Sequence, residues 1–405
     1  MEKSLLNYDL HPSFKFREKP WELEQNLIDS FNEYYLTLQE CGHVYKPKIK
    51  VLLKREILHK TDIIFSNLLK QTIENYEQTF LVELKEQTLR LVSEQINYFF
   101  RNKLNSDYNL FDKSLHSKIA YFHKNKYIID SLKNHTISEI NNEVQSDVAN
   151  FRDNVAKGNL TREALSQNEG KVMQKIISIL NKSFKDLGVL DILSIYTQRD
   201  TRVGGCALEL SVPKADWWKN NFEGINRPPN TLYAHLDESI EYPKAIVYLT
   251  NVNEKNGPTS CYPKINESLA LNPLQDIIGR IVGVVGSSDS SILKPYYMKT
   301  YHQSMNSENY RRHFMKLPQD MRFNSHFGWD VIPDSILEQK MINCEKKVVG
   351  NSGTFIVFDG GKLVHRGGLI EEGERLALQV IFTTKDKPSI FKRLRNKVKN
   401  KLFKK

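Results

Sequence analysis

Apolar residues recur three and four apart, with charges between them, through the stretch IKVLLKREILHKTDIIFSNLLKQTIENYEQTFLVELKEQTLRLV (49–92). That is the stripe of an amphipathic helix. There is no proline between Pro47 and Pro213 and no glycine between Gly42 and Gly158, so the usual interrupters are missing. The pattern predicts several helices over about 50–185. The last begins near Ser166, where SQNE resembles a capping box ahead of KVMQKIISILNKSF.

From about residue 188 the period changes. Fifteen of the nineteen glycines lie at or beyond Gly204. Short β-rich runs appear between turns: CALELSV, KAIVYLTNV, IGRIVGVVG, GTFIVFDG and RLALQVIFTT. Runs of that kind predict a sandwich or barrel. In the last of them alternation places Arg375, Ala377, Gln379 and Ile381 on one face, and Leu376, Leu378, Val380 and Phe382 on the other. The apolar face is suited to a layer of helices, and the first face to a barrel interior with room for a ligand.

Composition narrows the class. At 405 residues and 40% hydrophobic the chain can bury a large core, and no apolar run reaches the roughly 18–20 residues that span a bilayer. The start, MEKSLLNYDLHPSFKF, has no secretory h-region, so a cytoplasmic location is expected. Cys41, Cys206, Cys261 and Cys344 are widely spaced and form no CxxC pair, which argues for reduced thiols rather than disulfides or a cysteine zinc site. Nine of the net ten positive charges lie in 387–405, leaving +1 for the rest. Nucleic-acid binding is therefore not expected. In that tail Phe391, Leu394, Val398 and Leu402 fall at helical spacing among lysines and arginines, a pattern suited to an anionic membrane surface at the inner face of a membrane or to a solvated tail.

Candidate chemistry begins with TLYAHLDESIEY, residues 231–242. On an extended strand His235 and Asp237 share a face. An isolated H-x-D more often only bonds to its neighbours. The segment 351–384 adds His365 and, ten residues later, Arg375. Two histidines and a carboxylate make the triad that leaves adjacent positions open on non-haem Fe(II), enough for a bidentate 2-oxo acid and dioxygen. An arginine matches the distal carboxylate of such an acid in two-pronged geometry, although Arg375 could equally pair with Glu371, Glu372 or Glu374.

In combination, H-x-D, LTNVNEKNGPTSCYP (249–263), GTFIVFDGGKLVHRGG (353–368) and ERLALQVIF (374–382) resemble the phytanoyl-CoA dioxygenase family of Fe(II)/2-oxoglutarate oxygenases. The resemblance covers roughly 200–384. It implies a double-stranded β-helix, or cupin-like jelly roll, over 188–384; with the helical pattern read before it and the charge run after it, the chain reads as α+β, with a large helical N-terminal domain (1–187) and a basic tail (385–405). It implies His235, Asp237 and His365 as iron ligands, and Arg375 as the partner of 2-oxoglutarate. Iron(II), 2-oxoglutarate and dioxygen are the implied cofactor and cosubstrates. Asp237, in the resemblance, implies hydroxylation or another oxidation of a small molecule; membrane contact by the tail would point to a lipid-linked (glycan) substrate. The alternative is a catalytically degenerate jelly roll that serves as a membrane-recruited scaffold.

The chain departs from the family at PTSCYPKINES, where a "Pro-Gly-Ser-His" turn is customary, and at Gly367, where many members carry a hydroxyl. Asp237 and His365 lie 128 positions apart, which indicates an insertion at about 264–350. Its His302, His313 and His326 are rival ligands or solvated loop histidines. Asp359 reads as a turn residue, and Trp217 and Trp218 as core.

Overall fold

The computed structural model describes residues 5–10, 18–41, 47–100, 113–157, 162–166, 170–213, 230–237, 243–285, 308–368 and 370–385. The tail from 386 onward, His302, Trp217 and Trp218 lie outside these. α1 (Gln25–Cys41) precedes the long stretch free of proline and glycine, which forms α2 (Pro47–Leu69), α3 (Asn75–Phe99), α4 (Lys113–Asn125) and α5 (Asn134–Ala156). They are followed by α6 (Lys171–Asp186) and α7 (Val189–Thr197). Among the described residues two short strands interrupt the series, β1 (Tyr127–Ser131) and β2 (Arg162–Ser166).

The helix expected from Ser166 starts instead at Lys171, with Gly170 as its N-cap. Ser166 is the last residue of β2, paired with Ala207, so the sheet edge claims it before the helix begins.

Among the described residues seven further strands follow: β3 (Asp200–Ser211), β4 (Pro243–Tyr248), β5 (Ser260–Cys261), β6 (Lys346–Lys347), β7 (Thr354–Asp359), β8 (His365–Arg366) and β9 (Arg375–Lys385). They make two antiparallel sheets, ordered β1-β7-β4-β9-β3-β2 and β6-β5-β8. His235 extends the smaller sheet through a bridge to His365. From β3 onward the chain passes back and forth between the sheets, which is jelly-roll winding.

The inner faces meet in one cluster, Tyr248, Ile356, Phe358 and Ala377 from the larger sheet with Val252, Cys261, Val348 and Leu363 from the smaller side. Leu376, Leu378, Val380 and Phe382 point outward, as the alternation predicts, and pack with Phe122, Ile140, Leu180, Phe184 and Ile192 of α4–α7. Each such fully buried side chain contributes about 1.5–3 kcal/mol.

IGRIVGVVG is not a strand. It is the end of α9 (Pro273–Ile281), which follows the short α8 (Ile265–Leu269), and it runs on into a 3-10 turn at Val282–Val284. A reciprocal capping box between Asn272 and Gln275, with Pro273 in the first turn, nucleates the helix. Leu274, Ile277, Ile278 and Ile281 then form its buried stripe. The remainder of the 264–350 region adds α10 (Glu308–Lys316) and α11 (Ile336–Cys344). Phe314, Met321, Phe323, Phe327 and Met341 of this region share a core with Phe31, Leu38, Phe65, Leu84 and Val92 of α1–α3. Leu236 and Val364, the outward neighbours of His235 and His365, belong to that core as well. Helices from the first 187 residues thus cover both sides of the sandwich. Among the described residues, no helix is long and apolar enough to cross a membrane.

Candidate metal centre

His235 and His365 meet because of how their strands pair. Each donates its backbone N–H to the other's carbonyl, at 2.9 and 3.0 Å. Directly opposed residues in an antiparallel pair project from the same face. The two imidazoles accordingly lie with centroids 4.2 Å apart. Asp237, two positions on, turns to the same side, while its N–H donates to Gly360 O at 2.8 Å. Its Oδ1 stands 3.7 Å from His235 Nε2 and 3.6 Å from His365 Nε2.

Both rings are oriented through their other nitrogen. Nδ1 of His235 lies 2.9 Å from Tyr233 O, and Nδ1 of His365 lies 2.9 Å from Leu363 O. A carbonyl only accepts, so each Nδ1 carries the proton and each Nε2 lone pair is free for a metal. The buried Nε2 of His365 makes no hydrogen bond. One potential ligand atom from each of the three residues falls within 4.8 Å of the others. An imidazole nitrogen buried without a partner, beside a second imidazole and a carboxylate, is the donor set of a metal site.

Electrostatics keep this set ready. Burial pushes His235 down to about 4, assisted by the Lys244 charge and opposed by Asp237, so the ring is neutral at pH 7. Burial first, then Lys244 and His235, hold His365 well below the usual histidine range. Burial alone would raise Asp237, but Lys244 foremost outweighs it and keeps the carboxyl well below its ordinary value. The Lys244 ammonium is 2.9 Å from Asp237 Oδ1 and 2.8 Å from Oδ2.

Sequence reasoning passed over Lys244. Its signal was a lone charge on the inward face of KAIVYL, alternating with Ile246 and Tyr248. Gly360 was also missed: a Cβ there would stand 1.8 Å from Asp237 Oδ2 and 3.2 Å from His365 Cε1. The turn after β7 must pass this close to the carboxylate, which only a residue without a side chain allows.

Arg375 opens β9 on the inner face, paired with Ser211 of β3. Its Nη1 donates to Gly257 O, and its charge acts on the Tyr248 hydroxyl. Of the three glutamates weighed as partners, Glu374 pairs with Arg152 and Glu372 with Lys255.

The described rival histidines are not solvated loop residues. His326 is buried and stacks on His235, with centroids 4.8 Å apart and planes 11° from parallel. His313 packs against Tyr76 and Phe80. With Glu74 and Glu77 it forms a second possible ligand group, but Glu77 is engaged by Lys316 and by the N–H groups opening α3. Asp359 is more than a turn residue. It is fully buried, accepts the Tyr196 O–H at 2.5 Å and the Gly361 N–H at 3.1 Å, and burial raises its pKa.

No protein-family model and no curated protein matches the chain. Solved structures similar to it include the epimerase SnoN in complex with Fe3+, alpha ketoglutarate and nogalamycin RO, at 10% identity and TM-score 0.34, over 67% of this chain and 84% of that one. EctD from S. alaskensis, with 2-oxoglutarate and 5-hydroxyectoine, matches at 11% identity and TM-score 0.37, over 70% and 79%. HygX from Streptomyces hygroscopicus, with nickel and 2-oxoglutarate bound, matches at 11% identity and TM-score 0.32, over 67% and 87%.

Proposed function

We propose that the chain is a non-haem Fe(II)/2-oxoglutarate-dependent dioxygenase that hydroxylates an unactivated carbon of a small-molecule or lipid-linked substrate. One observation carries the reading: two imidazole Nε2 atoms and the Asp237 carboxylate converge in the interior of a jelly roll, with the Nε2 of His365 left without a hydrogen bond. When bound, iron supplies the oxidising chemistry, in which one oxygen atom of O2 goes to succinate as 2-oxoglutarate loses CO2 and the other goes to substrate.

The chain's own residues bind and orient. His235, Asp237 and His365 would hold the metal. Lys244 keeps Asp237 ionised and fixes its rotation. Arg375 is placed on the inner face to pair with the distal carboxylate of 2-oxoglutarate, exchanging its bond to Gly257 O for that partner. Tyr248, Ile356 and Phe358 line the interior and exclude water. The phrases shared with the phytanoyl-CoA dioxygenase family support the same assignment.

The test is aerobic incubation of the purified protein with Fe(II) and 2-oxoglutarate. Succinate is expected from the wild type and not from Asp237→Ala. A wild type that forms none and takes up no metal overturns the reading. The basic segment 387–405 is the part we assign to an anionic membrane surface, and vesicle binding that survives its deletion would reject that role.

A further inference from the structure

We propose that Arg280, at the end of α9, is a positioning residue that fixes the metal site from behind, a role that rests on the metal-centre reading above. Its side chain is buried, at 4% exposure. Nη1 donates to the backbone carbonyl of Asp237 at 2.6 Å, and Nη2 to the carbonyl of Gly361 at 2.9 Å. One guanidinium thereby ties the segment that carries Asp237 to the glycine turn that leads to His365. Nε and Nη2 also lie 3.1 and 2.9 Å from Asp276 Oδ1, one helical turn earlier.

The contacts call for an arginine. A planar fork with five donors can reach two carbonyls and a carboxylate at once, whereas a lysine ammonium is a point charge on a flexible stem. The cation also sits in the last turn of α9, where the helix dipole favours it. A second link runs in parallel: Ser325 donates its N–H to Gly279 O at 2.9 Å and accepts the N–H of Leu236 at 2.9 Å. The end of α9 therefore holds 236–237 from two directions.

The helix is itself anchored in the N-terminal helices. Asn32 of α1 accepts the N–H of Leu274 at 3.0 Å. Tyr35 of α1 donates to Gln95 of α3, and its hydroxyl is pushed up by burial and then by the charge of Asp276. Hydrogen bonds thus tie α3 to α1 through Tyr35, α1 to α9 through Asn32, and α9 to the backbone of Asp237 through Arg280. The helical layer thereby has a task at the metal centre, that of holding the Asp237 carbonyl and the Gly361 carbonyl at fixed separation.

The experiment titrates full-length apo-protein with Co(II), reads the ligand-field spectrum, and records thermal melting beside it. Arg280→Lys should still melt cooperatively, yet bind Co(II) at least about tenfold more weakly, with altered band positions. Arg280→Met should be weaker still. Arg311→Lys serves as the matched control, since Arg311 is equally buried and paired with Asp330 at 2.8 Å. It should lower the melting temperature and leave Co(II) affinity unchanged.

A folded Arg280→Lys with native affinity and spectrum overturns the proposal, as does an equal loss in Arg311→Lys. If neither Arg280 variant folds, Asp276→Asn keeps the guanidinium but frees it, and unchanged Co(II) binding there overturns the proposal. Wild-type protein that takes up no Co(II) instead overturns the metal-centre reading, and this role with it.

Discussion

Replacing Gly360 by alanine would drive a methyl group into the Asp237 carboxylate. The added Cβ would lie 1.8 Å from Oδ2 and 2.6 Å from Cγ. Ordinary contact needs about 3.4 Å, so carboxylate and methyl must part by roughly 1.6 Å. Gly360 is not in the left-handed region, so alanine brings no backbone strain of its own. The clash is with the end of a side chain, and the cheapest response is rotation of Asp237 away from Lys244 and the imidazoles. Giving up a hydrogen bond to a charged group costs about 1.5–3 kcal/mol. Metal ligands tolerate only about 0.2 Å, an eighth of the required displacement.

The expected outcome is a folded protein, a few degrees less stable, whose Co(II) affinity has fallen by about a hundredfold or more. Titration of apo-protein with Co(II) and a thermal melt read the two effects separately. Gly367→Ala is the control: nothing lies within 4 Å of the Cβ it would add, and it should change neither. A Gly360→Ala protein that binds metal like the wild type would refute the placement of Asp237, and global unfolding would refute the claim that the clash stays within the site.

Other consequences follow from the same groups. His235 is held neutral, with its pKa lowered to about 4 against 6.5 unperturbed, so the unfolded chain binds more protons between those values. Apo-protein should lose up to about 3 kcal/mol as pH falls through that window, with His365 adding to the loss, and flat urea midpoints from pH 7 to pH 5 would contradict this. Lys244→Met leaves the buried Asp237 carboxyl to desolvation, which raises its pKa. Its Co(II) affinity should therefore drop more steeply from pH 7 to pH 5 than that of the wild type, and parallel drops would argue against Lys244 as the group that keeps Asp237 ionised. Arg375→Ala should weaken 2-oxoglutarate binding at least about tenfold with Fe(II) affinity unchanged, as measured by calorimetry without oxygen, and equal affinities would remove Arg375 from that role.

The period-2 rule anticipated part of the geometry. It put His235 and Asp237 on one face and turned Leu376, Leu378, Val380 and Phe382 toward the helices, because alternation is a local property of extended chain. The convergence of His365 with His235 was legible only through the family resemblance, since the bridge that opposes them joins residues 130 positions apart. IGRIVGVVG misled because a short apolar run is ambiguous between strand and helix, and the deciding signal, the Asn272–Gln275 cap, lies outside it. With the run read as a strand, Arg280 had no reason to be noticed. His326 and Asp359 are buried by tertiary packing, and their local sequences of glycine, asparagine and serine look like loop. Lys244 needed no structure, only the question of why a strand facing the interior should begin with a charge.

Crystals of the protein soaked with Fe(II) and 2-oxoglutarate without oxygen, and measured at the iron edge, test the central claim most directly. The account predicts one anomalous peak bonded to Nε2 of His235, Nε2 of His365 and a carboxylate oxygen of Asp237, with the distal carboxylate of 2-oxoglutarate on Arg375. Iron bound elsewhere, or the three side chains unchanged with no peak among them, would contradict it.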